Sequence, residues 1–171
     1  MHPPDQLRTT LASAASFSFS GDVTRYVREK YRRTSGSPVG SLRSPGRYNE
    51  GFPALYTSFA RHAALEEIIQ YTDDAIAMVP YVMLSLRFTA LRTIDLTDPT
   101  LVRKLGTSQR ELRSLRMPGD HHPCQDLGRA ARAAGAEAII VWSAPWSGAK
   151  NLVVFAVSPP RYIEIKSIVR V

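Results

Sequence analysis

Runs of apolar residues along the chain predict strands, and most of these runs lie in its C-terminal half. Short stretches of about four to eight residues that are apolar throughout, or that alternate with polar residues, are typical of strands. In the last predicted strand isoleucines alternate with charged residues, which indicates one exposed face. The predicted strands are Ala54–Ser58, Tyr81–Leu91, Thr93–Leu96, Ala138–Trp142, Asn151–Val157 and Tyr162–Val169.

Helices are predicted by apolar residues three and four positions apart and by capping residues at the ends. Asp98 before Pro99 is typical of a helix start, and Ser108 with Glu111 has the spacing of a capping box. Glycine often ends a helix. The predicted helices are Ala60 to about Tyr71, a helix from Asp98 to near Gly106, a short helix capped by Ser108, and Cys124–Ala134 before Gly135.

The first third of the chain has a less regular pattern. Residues 1–20 are rich in Ser, Ala, Thr and Pro and are expected to form a loose or partly helical arm. Asp22 can cap a helix that runs through Lys30, and a strand at the end of this stretch fits equally well. Residues 34–45 are rich in Gly, Ser and Pro, which predicts a loop. We therefore expect an arm over residues 1–22 and one mixed α+β domain over residues 23–171.

One stretch, from Gly46 to Glu67, concentrates polar side chains around a tight turn. Its sequence is GRYNEGFPALYTSFARHAALEE, in which a turn with glycine and proline is followed by a short strand and a helix. Polar side chains at a turn, a strand end and a helix start can converge on one pocket. The stretch therefore predicts a functional site, although its spacing cannot choose between the carboxylates of Glu66 and Glu67.

The composition is that of an ordinary globular protein. The 171 residues are 44% hydrophobic and 22% charged, which fits one domain with a sizeable core. No window approaches the roughly 18 continuous apolar residues that a membrane span needs, and the N-terminus is a poor secretory signal. The single cysteine excludes an internal disulfide and favours a reducing, cytoplasmic setting.

The net charge of +7 favours anionic partners, because 22 residues are basic and 18 of these are arginine. The arginines are scattered, apart from a cluster between Arg25 and Arg33. No basic stretch interleaved with aromatic residues, as in proteins that bind single strands, is present in the sequence. We therefore favour surface roles for most arginines over direct binding of nucleic acid.

Other kinds of site have weak support in the sequence. His121, His122 and Cys124 lack the second Cys or His pair that a zinc site usually needs, so we expect no metal. Cys124 as a nucleophile would need a partner base and a lowered pKa. The adjacent carboxylates Asp73 and Asp74 point in different directions on a helix and do not form a dyad by themselves.

The motif in the central stretch resembles the core motif of the RES domain family, which is named for Arg, Glu and Ser. The distance from the tyrosine to the glutamate in that motif selects Glu67 over Glu66. Further matches occur in the family's order, and together they cover residues 31–157. The matching positions are Gly46, Arg47, Tyr48, Asn49, Gly51, Leu55, Tyr56, Ala64 and Glu67, then Ile94–Thr97, Gln125–Gly128, Gly135, Trp142–Ala144 and Asn151–Phe155, with Tyr31 and Arg32 upstream.

This resemblance implies a fold, an activity and a partner. The fold would be an ADP-ribosyltransferase-like split, mostly antiparallel β core with short helices around it. The activity would be that of a type II toxin that destroys NAD+ by hydrolysis or phosphorolysis of the nicotinamide–ribose bond, with inorganic phosphate as the second reactant in phosphorolysis. The partner would be an Xre-type antitoxin that occludes the active site. Two alternatives are a mono-ADP-ribosyltransferase that modifies a protein and a non-enzymatic domain that binds nucleic acid or protein.

The resemblance also implies roles for individual residues. Glu67 would stabilise the oxocarbenium-like cation that develops on the ribose. Ser143 would hydrogen-bond the substrate or hold Glu67, and Tyr56 completes the expected catalytic set. The expected NAD-binding residues are Arg32, with Arg33 as its competitor, and Arg47 on the pyrophosphate, together with Tyr48, Tyr56 and Ser143 on rings or hydroxyls.

Overall fold

A computed structural model describes residues 1–69, 79–114, 122–155 and 163–171 of the chain. The strands in these ranges are β1 (Phe17–Arg28), β2 (Ala54–Ser58), β3 (Tyr81–Asp95), β4 (Ala138–Trp142), β5 (Lys150–Phe155) and β6 (Ile163–Arg170). The helices are α1 (Pro4–Ala12), α2 (Gly40–Arg43), α3 (Arg61–Ile69), α4 (Pro99–Lys104), α5 (Gln109–Leu112) and α6 (His122–Ala133), with a 3-10 turn at Glu29–Thr34. None of the helices in these ranges has the length and apolar composition that crossing a bilayer requires.

The strands form a sheet in the order β1-β2-β5-β4-β3-β6, and β1 also pairs with β3. β1 pairs with β3 along almost its whole length, whereas it meets β2 at one residue pair, Thr24 with Ser58. The contact between β3 and β4 is parallel, and the other pairings are antiparallel. The predicted α+β fold with a split, mostly antiparallel β core is therefore confirmed.

Two hydrophobic clusters lie in the described part of the molecule. One is built on β3, β4 and β5 together with Val23 and Leu55. The other joins the opposite side chains of β4 and β5 to α4, α6 and α1, where Leu7 and Leu11 are fully buried. Each of these leucines contributes about 1.5–3 kcal/mol through burial. The predicted boundary at residue 22 stays a prediction, but α1 packs into the core ahead of it.

Several local predictions are confirmed because their causes are local. β2 and β4 have the predicted limits. The Asp98 side chain accepts a hydrogen bond from the N–H of Thr100 at 2.8 Å and so caps α4. Ser108 and Glu111 form both hydrogen bonds of a capping box at the start of α5. Short polar side chains satisfy backbone N–H groups there without help from distant residues.

Other predictions were wrong, and for β1 and β3 the reason is pairing between strands that are distant in sequence. The helix expected from Asp22 to Lys30 is the second half of β1 and the beginning of the 3-10 turn. Asp22 lies opposite Arg87 of β3 and forms an ion pair with it at 2.8 Å, instead of capping a helix. The two strands predicted over residues 81–96 are the single strand β3. The loop at 34–45 contains the short helix α2.

Some predictions extend beyond the described residues. The described part of α3 ends at Ile69, and the predicted last residues of that helix lie outside it. The same holds for the end of the strand predicted to reach Val157 and for Tyr162 at the start of the next one. β6 is exposed along nearly its whole length, and not on one face alone as its alternation had indicated.

α3 covers the split between β1 and β2, and this places its carboxylates near the strand ends. The helix follows β2 directly and contacts both β1 and β2. Ala63 and Ala64, which are buried, form its inner side. Small side chains permit a close approach of the helix to the strands. The carboxylate of Glu67 therefore lies within reach of the sheet.

A substitution of Gly128 tests how α6 packs against the turn that carries Tyr48. A Cβ at position 128 would overlap the backbone carbonyl of Tyr48. Gly→Ala inside a helix normally stabilises by about 1 kcal/mol, yet here we expect Gly128→Ala to lower the free energy of unfolding by about 1–3 kcal/mol. Denaturant titration measures this change.

The matched control is Gly40→Ala, because a Cβ on Gly40 meets no atom within 4 Å. We expect this variant to be neutral or to gain up to about 1 kcal/mol. Equal effects of the two substitutions would contradict the packing of α6 described above.

Candidate active site

A cavity of about 190 Å³ lies at the split between β1 and β2, under α3. The two strands share one residue pair and then diverge, and side chains from both of them line the gap. Its wall is formed by Thr24, Arg25 and Tyr26 of β1, Tyr56, Thr57 and Ser58 of β2, Ala64, Glu67 and Ile68 of α3, and Asn151 of β5. This cavity brings together polar residues from four elements that are distant in sequence.

Glu67 is held in this cavity by two hydrogen bonds to the same carboxylate oxygen. Ser143 Oγ donates to Glu67 Oε1 at 2.9 Å, and Asn151 Nδ2 donates to it at 2.7 Å. Ser143 is fully buried, and its Oγ accepts a hydrogen bond from the N–H of Trp146 at 3.3 Å. Hydrogen bonds to a charged acceptor are about twice as strong as neutral ones. These two hydrogen bonds therefore fix the position of the carboxylate.

The second charged group of the cavity is Arg25, which the sequence did not single out as a site residue. Its Nη1 atom is buried and has no hydrogen-bond partner among the described residues. Burial lowers the pKa of Arg25 to about 10, so that the guanidinium is still protonated at neutral pH. A buried N–H group of a cation without an acceptor favours binding of a ligand that supplies one. The alternation of Val23 with Arg25 was the available signal, but the sequence left a helix and a strand open in this stretch.

Tyr56 connects this cavity to the turn at Gly46–Asn49. Its hydroxyl donates to Asn49 Oδ1 and accepts from the N–H of Tyr48, both at 2.8 Å. The Asn49 side chain is fully buried, and its Oδ1 also accepts from the N–H of Gly46 at 2.9 Å. The tyrosine and the asparagine of the motif therefore shape the turn, while the Tyr56 side chain also lines the cavity.

Three of the predicted NAD-binding residues are not among those that line the cavity of Glu67. Arg47 lines a second cavity of about 620 Å³, beside α5, and donates to the carbonyl of Leu112 at 3.2 Å. Tyr48 is buried in the core, and burial raises the pKa of its phenol well above the usual value. Arg32 and its competitor Arg33 are exposed on the 3-10 turn. Their contacts with NAD stay predictions, while Arg25 is the arginine that lines the cavity of Glu67.

The other candidate chemistries have little support in the structure. Cys124 is buried, and burial raises the pKa of its thiol, which disfavours the thiolate that a nucleophile needs. No group of three His, Cys, Asp or Glu side chains suited to a metal is present among the residues that the structure describes. His121, Asp73 and Asp74 lie outside those residues.

The protein-family model of the RES domain matches residues 22–170 of the sequence. The chain belongs to the RES domain family. The matched range contains all the residues that line the cavity, from Thr24 to Asn151, and also Ser143. The matched range therefore includes Glu67 and both residues that donate hydrogen bonds to its Oε1 atom.

Comparison with curated proteins finds no significant match. Among solved structures, a chain of the M. tuberculosis MbcT–MbcA toxin–antitoxin complex is similar, with a TM-score of 0.81 and 23% sequence identity. The similarity covers 98% of this chain and 92% of that chain. At this level of identity the similarity shows that the two proteins share the fold.

Replacing Arg25 tests whether its buried charge serves binding instead of stability. We expect Arg25→Met to keep the free energy of unfolding or to raise it, by up to about 1–3 kcal/mol, because an unsatisfied buried polar group is removed. Chemical denaturation at neutral pH measures the change.

Arg28→Met on the same strand is the matched control, and we expect a change within about 0.5 kcal/mol. A large loss of stability in Arg25→Met alone would show that this guanidinium is a structural group, which contradicts a binding role.

Proposed function

We propose that this RES domain is the toxin of a type II toxin–antitoxin system and that it degrades NAD+ by cleaving the nicotinamide–ribose bond. The observation that carries the proposal is the Glu67 carboxylate, fixed by Ser143 and Asn151 in a cavity that also holds the buried cation of Arg25. Membership of the RES domain family and the fold shared with a chain of a toxin–antitoxin complex support it.

The chemistry requires little acid catalysis but strong stabilisation of charge. When the C–N bond breaks, its electron pair leaves with nicotinamide, which departs as a neutral molecule. Positive charge then develops on the ribose, and a fixed carboxylate lowers the energy of that cation. In the proposed reaction Glu67 supplies this charge. The oxygen of water or of inorganic phosphate forms the new bond to the ribose, and its proton is released.

In this proposal an extended dinucleotide occupies both cavities. Glu67 would face the reacting ribose in the first cavity, and Arg47 in the second would bind the pyrophosphate through its planar fork. Tyr56 joins them, because its side chain lines the first cavity while its hydroxyl holds the turn that carries Arg47. Ser143 would keep Glu67 in place. No metal enters this proposal.

We also propose an Xre-type antitoxin as the partner, with the complex covering the cavity at Glu67. The shared fold with a chain of a toxin–antitoxin complex supports a protein antitoxin. The net charge of +7 would speed association with an acidic partner or an anionic substrate. A cytoplasmic location follows from the proposal, because the substrate is the cellular NAD+ pool.

Loss of NAD+ in vitro tests the proposal, with Glu67→Gln as the variant. This change keeps the size of the side chain and removes its charge, so that we expect kcat/KM to fall by about 10²–10³-fold. The assay is run with and without inorganic phosphate. Acceleration by phosphate indicates phosphorolysis, and its absence indicates hydrolysis.

Glu66→Gln is the matched control, since Glu66 is the neighbouring carboxylate on α3 and does not line the cavity. We expect it to keep the wild-type rate. A Glu67→Gln variant with full activity would contradict the role of Glu67. Loss of one NAD+ per protein together with a labelled target would instead indicate a mono-ADP-ribosyltransferase.

A further inference from the structure

Asn151 has a rigid position at the centre of the sheet. On β5 it lies opposite Ser58 of β2 on one side and opposite Val141 of β4 on the other. Because both neighbouring strands hold the backbone of β5, the direction of this side chain is set by the sheet. It reaches the cavity wall together with Glu67 of α3.

The contact with Glu67 determines the orientation of the Asn151 side-chain amide. An ionised carboxylate can only accept hydrogen bonds, so the amide must present its NH₂ group to Glu67 Oε1, at 2.7 Å. The carbonyl end, Oδ1, is thereby committed to the role of acceptor. Oδ1 is buried and has no hydrogen-bond partner within the described ranges.

The cavity therefore contains two unmatched buried atoms of opposite character. Asn151 Oδ1 needs a donor, and Arg25 Nη1 needs an acceptor. A buried polar atom without a partner costs about 1–3 kcal/mol, and this cost is removed when a ligand supplies the missing partner. A ligand in this cavity that offers both a donor and an acceptor can supply both missing partners.

We propose that Asn151 is a specificity-determining residue of this site, whose NH₂ positions Glu67 while its Oδ1 accepts a hydrogen bond from an uncharged donor group of the substrate. This inference rests on the proposed cleavage of NAD+. Two parts of NAD+ have the required chemistry: the carboxamide of nicotinamide, and the hydroxyl groups of the nicotinamide ribose. Each offers an N–H or O–H donor beside an oxygen that can accept from Arg25.

Two substrate analogues distinguish these sources. In nicotinic acid adenine dinucleotide a carboxylate replaces the carboxamide, so an acceptor would face the acceptor Oδ1. In the second analogue one hydroxyl of the nicotinamide ribose is replaced by hydrogen. For each, the ratio of kcat/KM for NAD+ to kcat/KM for the analogue is measured in the wild type and in Asn151→Ala. A ratio taken on one preparation is independent of the fraction of protein that is folded.

We expect one of the two ratios to fall by about 10-fold or more in Asn151→Ala, because the contact that the analogue lacks is then absent for NAD+ as well. A fall for the acid analogue identifies the carboxamide, and a fall for the other identifies the ribose. If both ratios are unchanged, Oδ1 does not contact the substrate, and the inference is wrong.

Asn151→Asp gives a second readout with nearly unchanged shape. It keeps an acceptor for the substrate but places a second carboxylate beside Glu67. Two adjacent carboxylates ionise less readily than one, so we expect the acid limb of kcat/KM against pH to move to higher pH. An unmoved limb would contradict the positioning of Glu67 by Asn151.

The wild type separates failure of this inference from failure of the proposed function. If the wild type does not turn over NAD+, the proposed function fails. The dissociation constants of NAD+ and of both analogues, measured by calorimetry for the wild type and Asn151→Ala, then decide the inference in the same way. If the wild type is active, the ratios decide it alone.

Discussion

The pair of hydrogen bonds to Glu67 Oε1 is the contact on which the site depends. It joins the helix after β2, the end of β4 and the start of β5, and so ties together parts of the chain separated by 76 and 84 residues. The contact is possible because β1 and β2 diverge after one residue pair and α3 covers the gap. The position of the Glu67 carboxylate on α3 is therefore set by side chains at the ends of β4 and β5.

Much of the architecture follows from local patterns in the sequence. The capping residues Asp98 and Ser108 begin α4 and α5 as predicted, because each satisfies neighbouring backbone groups. The stretch from Asp22 to Lys30 is different, since its propensity permits a helix but pairing with β3 makes it a strand. The buried position of α1 likewise depends on α6 and could not be read from residues 1–20.

Residues of the candidate site could be predicted from the sequence where a motif contains them. They could not be predicted where only the fold brings them to the cavity. The motif led to Glu67, Tyr56 and Ser143, and the structure places all three at or beside one cavity. Arg25 belongs to the basic cluster that ends at Arg33, and nothing in that cluster distinguishes it; only the fold brings it into the cavity of Glu67. Arg47 is prominent in the same motif, yet it lines the second cavity, which no spacing along the chain could reveal.

A crystal structure of the Glu67→Gln variant with NAD+ tests most directly whether the split between β1 and β2 is the substrate site. We expect the nicotinamide riboside in that cavity, with the ribose against residue 67 and hydrogen bonds to Asn151 and Arg25. NAD+ bound only in the cavity of Arg47 beside α5, without contact to residue 67, would contradict it.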